Sequence, residues 1–399
     1  MGVIIQKFGG TSVKNTERIL EVAKKIVESK KMGNSIVAVL SAQGGYTDIL
    51  LEKAHKISKT PKKRELDVLL STGEQISIAL LAMAIEELGE SAVSFTATQL
   101  GIKTCSNHNC AQILDIDSKK IKQALEEGNV VVVAGFQGVD LHGNITTLGR
   151  GGSDTTAVAL GVTLGAKEVE IYTDVDGIYS ADPRVVKNAK KINRIAYSEM
   201  IEMAGNGAKV LHSRSVELAC KYNIKIHLRS SYSWTKGSII KGEDKMEKEV
   251  IRGITHSKNL SKITLRDTPH RLADVISTLS NEGYNIDIIT HDFDPERGAT
   301  ISCILKQEIL EKAFEILREK YPKNRKNLVH IPNLGKVSVI GIGVKSKGVA
   351  AQVFKVLSEN NISIEMVSSS DINISCIIHQ KDLEKAVSLL HERLIEEAK

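Results

Sequence analysis

The last third of the chain copies itself, and that repeat constrains the fold more than any other feature. Ala273, Val275, Leu279, Ser280 and Ile286 recur 78 residues later as Ala351, Val353, Leu357, Ser358 and Ile364. Ile301–Ser302–Cys303–Ile304 returns as Ile374–Ser375–Cys376–Ile377, and Leu310–Glu311–Lys312–Ala313 as Leu383–Glu384–Lys385–Ala386, both 73 residues on. The spacing shrinks by five, so the first copy carries five extra residues between its middle strands. Each copy reads strand, helix, strand, strand, helix, the split βαβ plan. The first copy has a candidate last strand at 327–331; the second ends in a helix over 383–397 and has none. Residues 250–255, ahead of the first copy, are expected to supply that missing strand.

At 399 residues the chain is long enough for two or three domains. Apolar residues make up 42% and charged residues 26%, the balance of a soluble globular protein. No stretch approaches the roughly 18–20 apolar residues of a membrane span, and no secretion signal opens the chain. Five cysteines, an odd number without framework spacing, suggest reduced thiols and a cytoplasmic protein. The net charge of +6 is spread among acids along helical patterns, with few aromatics, which excludes a nucleic-acid binder.

The front of the chain alternates strands and helices to about residue 230, arguing for a parallel-rich αβα sandwich. It opens on an apolar strand running into Lys7, Gly9, Gly10 and Ser12. Paired glycines let N–H groups approach an anion, a following helix start adds its positive end, and Lys7 adds a full charge. That pattern makes a phosphate cradle or, alternatively, an ordinary glycine turn; no P-loop motif is present. Asn15 or Thr16 caps the next helix, and the strand 35–40 opens into a hydroxyl-rich loop at 41–48. Residues 65–88 read as a helix interrupted near 71–74, where Glu74 is either solvated or faces a cation such as an ammonium. Cys105, His108 and Cys110 offer three metal-type ligands without a second pair, so they read as a loop and no metal is assigned. A hairpin is expected at Gly143–Asn144. Gly149–Arg150–Gly151–Gly152–Ser153–Asp154 precedes a helix at 157–164 and suits a carboxylate held by the guanidinium, although Asp154 also suits a helix first turn. The acid-rich stretch 173–184 reads as nucleotide or metal contacts or as a solvated loop. Residues 200–227 carry helical periodicity, and 241–249 read as a linker.

Seven runs taken together carry a resemblance: KFGGTS at 7–12, the serine-to-threonine loop at 41–47, STGE at 71–74, GFQG at 135–138, LGRGGSDTTA at 148–157, YTDVDGIYSADPR at 172–184 and GAKVLH at 207–212. The chain closely resembles the aspartate kinases of the amino-acid kinase family over nearly its whole length, and the repeat resembles their paired ACT domains. Relatives often carry proline after GAKVLH, where this chain has Ser213. The resemblance implies an α/β chain: a carbamate kinase-like αβα sandwich followed by two α+β ferredoxin-like ACT domains. Its implied boundaries are a catalytic domain at 1–240, a linker plus contributed strand at 241–256, and ACT domains at 257–332 and 333–399.

It further implies transfer of the ATP γ-phosphoryl group to the side-chain carboxylate of L-aspartate, giving 4-phospho-L-aspartate, the first step of lysine, threonine and methionine biosynthesis. Lys7 and Asp154 are the implied catalytic pair. Ser41, Thr47, Glu74, Phe136, Arg150, Gly152 and Ser153 are the implied aspartate contacts. ATP, with Mg2+, would meet Lys7, Gly9, Gly10, Ser12, Thr173, Asp174, Tyr179, Asp182, Arg184 and Lys209. An inhibitory amino acid, lysine rather than threonine, is expected at Thr268, His270, Arg271, Leu272, Asp287 and Asp292. A homodimer or homotetramer joined through ACT domains is also implied. The competing readings are a non-catalytic amino-acid sensor and a family kinase acting on another acceptor, such as glutamate.

Overall fold

A computed structural model describes residues 2–208, 210–233, 235–242, 251–268, 272–296 and 298–397. The chain divides into two compact units, one built from Met1–Ile178, Lys191–Gly205 and Lys209–Met246, the other from Tyr179–Lys190, Asn206–Ala208 and Glu247–Lys399.

In the first unit, strands and helices follow one another as β1 (Val3–Phe8), α1 (Thr16–Lys31), β2 (Ser35–Leu40), α2 (Tyr46–Ile57), α3 (Lys63–Glu87) and β3 (Ala92–Phe95). Next come β4 (Ile102–Thr104), β5 (Ile113–Ile116), α4 (Lys119–Glu126), β6 (Val130–Ala134), β7 (Gln137–Val139), β8 (Ile145–Thr147), α5 (Gly152–Leu164) and β9 (Glu168–Thr173). After β10 (Ile178–Tyr179), β11 (Lys191–Ile192) and β12 (Arg194–Ala196), the unit closes with α6 (Tyr197–Gly205), α7 (Ser213–Tyr222), β13 (Ile226–Ser230) and β14 (Ser238–Lys241).

Eight strands form one sheet in the order β12-β14-β13-β9-β1-β2-β6-β3, parallel except at the β13–β14 pair. Side chains alternate across a strand. Ile4 and Phe8 of β1, with Ile36, Leu40, Val130 and Val132, therefore pack on Ile19, Val22 and Ile26 of α1 and Leu81 and Ile85 of α3. Ile5 and Lys7 take the other face, where Gly161 of α5 comes so close that a Cβ there would lie 2.7 Å from Val169 and 3.6 Å from Ile5. A four-stranded sheet, β5-β4-β7-β8, holds the hairpin, with Gly143 left-handed at φ 78 in its turn.

Four expectations are corrected. The helix through 71–74 is unbroken from Lys63 to Glu87. Gly73 costs helix stability, yet a Cβ there would sit 2.7 Å from the Cβ of Ala42, so glycine is what lets α3 press on the 41–45 loop that precedes α2. By length and composition α3 is also apolar enough to cross a membrane, which the reading of the sequence had denied to every stretch; here Leu70, Leu81 and Ile85 are buried in the protein. Helix α5 begins at Gly152 rather than 157, its first turn pressed on Phe136. Finally, 200–227 splits into α6, α7 and β13: Asn223, left-handed at φ 52, caps α7, and Ile226, Leu228 and Ser230 alternate inward as a strand.

The second unit runs β15 (Gly253–Thr268), α8 (Leu272–Asn281), β16 (Ile288–Asp294), β17 (Gly298–Lys306) and α9 (Leu310–Lys320), then β18 (Leu328–Ile340), α10 (Val349–Glu359), β19 (Ile364–Ser369), β20 (Asn373–His379) and α11 (Leu383–His391). A π-helical turn, Glu392–Glu396, follows α11. Both copies share one six-stranded sheet, β16-β17-β15-β18-β20-β19. Gly253 to Ser257 pair with Ile340 to Lys336, whose other edge carries β20, while Leu260 to Leu265 pair with β17. The register shifts between those two stretches, where Asn259 is left-handed at φ 60. Of the segment 250–255, then, Gly253 to Thr255 lie on the second copy's side of the sheet, and Val250 lies outside the described residues. The second copy's core of Ile254, Val337, Val339, Val353, Leu357, Leu383 and Leu390 also takes in Ala181 and Val186.

Candidate active site

Open parallel sheets place ligands beyond the carboxyl ends of their strands. In the order β9-β1-β2-β6, those ends deliver Thr173–Asp174, Lys7–Gly10, Ser41–Gly45 and Gly135–Phe136 side by side. Lys7 Nζ reaches Asp154 Oδ1 at 2.7 Å, each side chain 11% exposed. Strand β1 and the first turn of α5 thus meet through their charges. The two glycine-lined elements lie next to each other.

The glycines act by absence. A Cβ on Gly10 would lie 2.8 Å from the carbonyl of Ala42, and one on Gly135 would lie 2.8 Å from Ser153 Oγ. Gly151 is left-handed at φ 68, and a Cβ there would come within 2.3 Å of His212 Cβ. Phe136 is left-handed without being glycine, at φ 67, a strained conformation of the kind that clusters at ligand sites. Its N–H donates to Thr156 Oγ1 at 3.2 Å, and its carbonyl accepts from Leu148 N–H at 2.8 Å. That pair ties β6 to the arginine loop.

Glu74 is 3% exposed. Its Oε1 accepts from the Ala42 N–H at 3.0 Å, and Oε2 has no partner among the described residues. Burial pushes the carboxyl up to about 8, with the Ala42 N–H opposing the shift. Arg150 is exposed and makes no hydrogen bond or ion pair with any described residue. A buried acid with an idle oxygen and an idle guanidinium is the inverse of a zwitterion. Ser41 follows β2, Thr47 sits in the first turn of α2, and Ser153 in that of α5.

Other expected residues fall differently. Ser12 is fully buried: its N–H donates to the Gly9 carbonyl at 2.9 Å and its hydroxyl to Ser231 Oγ at 2.9 Å, so neither points at an anion. The turn after the glycines is one 3₁₀ turn, Gly10–Val13, and α1 starts only at Thr16, capped by Asn15. The dipole expected beside Lys7 therefore belongs to α5, through Asp154. Thr173 and Asp174 end β9 in the first unit, and the Thr173 hydroxyl donates to Asp174 at 3.0 Å. Tyr179, Asp182 and Arg184 belong to the second unit, where the Arg184 Nη2 and Nε bond Asp182 at 2.7 and 3.0 Å. Lys209 lies outside the described residues.

Among the expected effector residues, Asp287 is already neutralised by Lys336, whose Nζ approaches its two oxygens at 2.6 and 2.9 Å. Leu272 opens α8 and packs against the first copy's core. Asp292 is exposed on β16. Thr268 ends β15, while His270 and Arg271 lie outside the described residues.

Sequence reasoning passed over a cluster on the α1 side of the sheet. Glu170 accepts from Gln6 Nε2 at 2.8 Å, Tyr172 Oη at 3.0 Å and Arg229 Nη1 at 2.5 Å. With Glu168 and His227 it forms a group whose ligand atoms lie within 4.8 Å of one another. Arg229 on Glu170 and Lys225 Nζ, 2.7 Å from Glu168, already supply the positive charge a cation would bring. It is an ionic network. The period-two spacing of Glu168 and Glu170 with His227 and Arg229 was the only signal for it.

Fold and site define a small-molecule kinase with an attached pair of ACT-like repeats. The chain matches the amino acid kinase family over residues 2–230 and an ACT domain over residues 337–394. An aspartokinase of Bacillus sp. (strain MGA3) is 45% identical, over 98% of this chain and 97% of its own length. One from Geobacillus stearothermophilus is 46% identical, over 100% and 99%. Among solved structures, E. coli aspartokinase III in complex with aspartate and ADP (R-state) is similar at a TM-score of 0.82, with 26% identity over 98% of this chain and 99% of that one. The same enzyme in complex with lysine and aspartate (T-state) gives 0.77 at 26% identity, with the same coverage. The chain belongs to the amino acid kinase family, in its aspartokinase branch.

Proposed function

We infer that Lys7, Glu74, Arg150 and Asp154 carry the activity of this aspartokinase, transfer of the ATP γ-phosphoryl group to the side-chain carboxylate of L-aspartate. The observation that carries this reading is the Lys7–Asp154 contact at 2.7 Å, beside an idle Glu74 oxygen and an unpaired Arg150. The electrostatic difficulty is to bring an anionic acceptor to a polyanionic donor. Phosphoryl transfer asks the protein mainly for positioning and charge neutralisation.

Lys7 bridges the transferring phosphoryl oxygens, with the N–H groups around Gly9 and Gly10, and Asp154 orients Lys7. No general base is required, because a carboxylate acceptor is already ionised at neutral pH. Arg150 grips the substrate α-carboxylate through its fork and Glu74 takes the α-ammonium, charge-assisted bonds worth about 1.5–3 kcal/mol each. Ser41, Thr47 and Ser153 add hydrogen bonds, and Phe136 and Gly152 wall the pocket. Thr173 and Asp174 take the nucleotide from the β9 side.

The donor set suits Mg2+, an ion that takes oxygen ligands and usually combines one or two carboxylates with substrate phosphates. Asp154, the carboxylate beside Lys7, would hold it, and the ion would supply further neutralisation of phosphate charge. L-Lysine is the proposed inhibitor, bound at the first repeat, in a soluble cytoplasmic homodimer or homotetramer; a lysine complex of the E. coli relative supports the choice of lysine.

An ATP-dependent hydroxamate assay tests the reading. Product is expected with aspartate and at most a small fraction of it with glutamate, and added lysine should inhibit. No product with aspartate, or equal product with glutamate, contradicts the activity; inhibition by threonine alone contradicts the effector.

A further inference from the structure

Two turns before Glu74 on α3, Asp67 is fully buried (0% exposed). A buried carboxylate persists only when its lone pairs are taken up. Here Thr147 Oγ1 donates at 2.5 Å, the Asn109 N–H at 3.1 and 3.2 Å, and His108 Nδ1 lies at 2.6 Å. All these donors come from two places: the last residue of β8 and the 105–110 loop. Both lead to Arg150.

Thr147 is followed directly by Leu148, Gly149 and Arg150. The loop also lies against the arginine turn, since a Cβ on Gly149, left-handed at φ 76, would sit 2.8 Å from the Asn109 carbonyl. The Ala111 N–H donates to the Thr147 carbonyl at 2.9 Å, and Arg214 bonds the Leu148 and Ala111 carbonyls at 2.8 and 2.7 Å. Residues seven apart on a helix share a face, about 10 Å apart along the axis. One rigid helix therefore carries Glu74 and, two turns back, the anchor of the strand that ends at Arg150.

We propose that Asp67 is a positioning residue that holds Arg150 in register with Glu74, so that the α-carboxylate and α-ammonium are seated at one place relative to Lys7 and only an amino diacid of matching side-chain length presents its far carboxylate there. The Asp67 clamp touches neither substrate nor nucleotide and acts through Thr147 and the 105–110 loop. The proposal rests on reading Glu74 and Arg150 as the ammonium and carboxylate groups of the pocket.

The test compares Asp67→Asn, Thr147→Val, their double variant and Arg150→Ala in the full-length enzyme, with aspartate and glutamate as acceptors. Asp67→Asn should raise the aspartate KM at least tenfold, leave the ATP KM within twofold, and narrow the preference for aspartate over glutamate. Thr147→Val should do the same, and the double variant should be no worse than the more affected single one. If Asp67→Asn does not fold, Thr147→Val carries the same test. An aspartate KM within twofold of the parent while Arg150→Ala raises it overturns the clamp alone. So does a parallel rise in both KM values with a lowered melting temperature, which a merely structural role would give. An unchanged KM in Arg150→Ala overturns the reading of the pocket and the clamp with it.

Discussion

The Ala42 N–H donates to Glu74 Oε1 at 3.0 Å, and the other oxygen of the same buried carboxyl has no partner among the described residues. Burial holds Glu74 up near 8, so at pH 7 the free protein keeps it largely protonated. An ammonium docking on it favours the carboxylate and expels the proton. Aspartate binding at pH 7 should therefore release about one proton, measurable by calorimetry in buffers of different ionisation enthalpy. The aspartate KM should fall as pH rises from 6 towards 8. Glu74→Gln should abolish the proton release and weaken aspartate binding. Because the folded pKa is raised, the fold binds more protons than the unfolded chain between about 4.5 and 8, and this group's contribution to stability declines as pH rises through that window.

Gly151→Ala should be among the costlier single substitutions near the site. Left-handed backbone costs an L-residue about 1–2 kcal/mol, and the clash with His212 adds an overpacking cost of roughly 1–3 kcal/mol. Gly33 is the control: it too is left-handed, at φ 87, but a Cβ there meets nothing within 4 Å. Thermal melts should show a clearly larger loss for Gly151→Ala than for Gly33→Ala, with a raised aspartate KM only in the former. Equal losses would mean the close approach to His212 does not hold the arginine loop.

How much of this was legible in the sequence follows from which interactions are local. Gly9, Gly10, Gly151 and Gly152 declare themselves because a missing Cβ is written in the chain, and Lys7 and Arg150 stand beside them. Partnerships across the sheet are not written. Nothing local says that Ser12 turns inward to Ser231, that Glu170 collects Gln6, Tyr172 and Arg229, or that Asp287 is already matched by Lys336. The helix start at Gly152 is not legible, because glycine and hydroxyl residues read as loop until Phe136 packs on their first turn. The unbroken α3 is hidden for the same reason: Gly73 punctuates a sequence but not a helix held by Leu70, Ile78 and Leu81.

A buried histidine, His391, and a half-buried one, His256, make the second unit sensitive to acid. His391 Nε2 lies 2.8 Å from Ser180 Oγ and its Nδ1 2.9 Å from Glu396; burial lowers its pKa, with Glu396 opposing. Burial likewise lowers His256, with Asp182 opposing. A histidine whose folded pKa lies below its unfolded value leaves the unfolded chain binding more protons, so stability is present above the unfolded value and lost as pH falls below about 6.5. Glu74 works the other way over the same range, so the histidine contribution is read by difference: between pH 7.5 and pH 5.5 the parent should lose more melting temperature, or gain less, than His391→Gln. An identical pH dependence of melting temperature in the parent and His391→Gln would contradict this assignment.

The pairing of Lys7 with Asp154 is the point on which the catalytic account turns, and Lys7→Ala measures it most directly. Steady-state hydroxamate formation should fall by a hundredfold to a thousandfold, about the loss seen when one preorganised electrostatic contact to a transition state is removed. Circular dichroism and melting temperature should stay near those of the parent. Turnover within a few-fold of the parent in a folded Lys7→Ala protein would contradict the account.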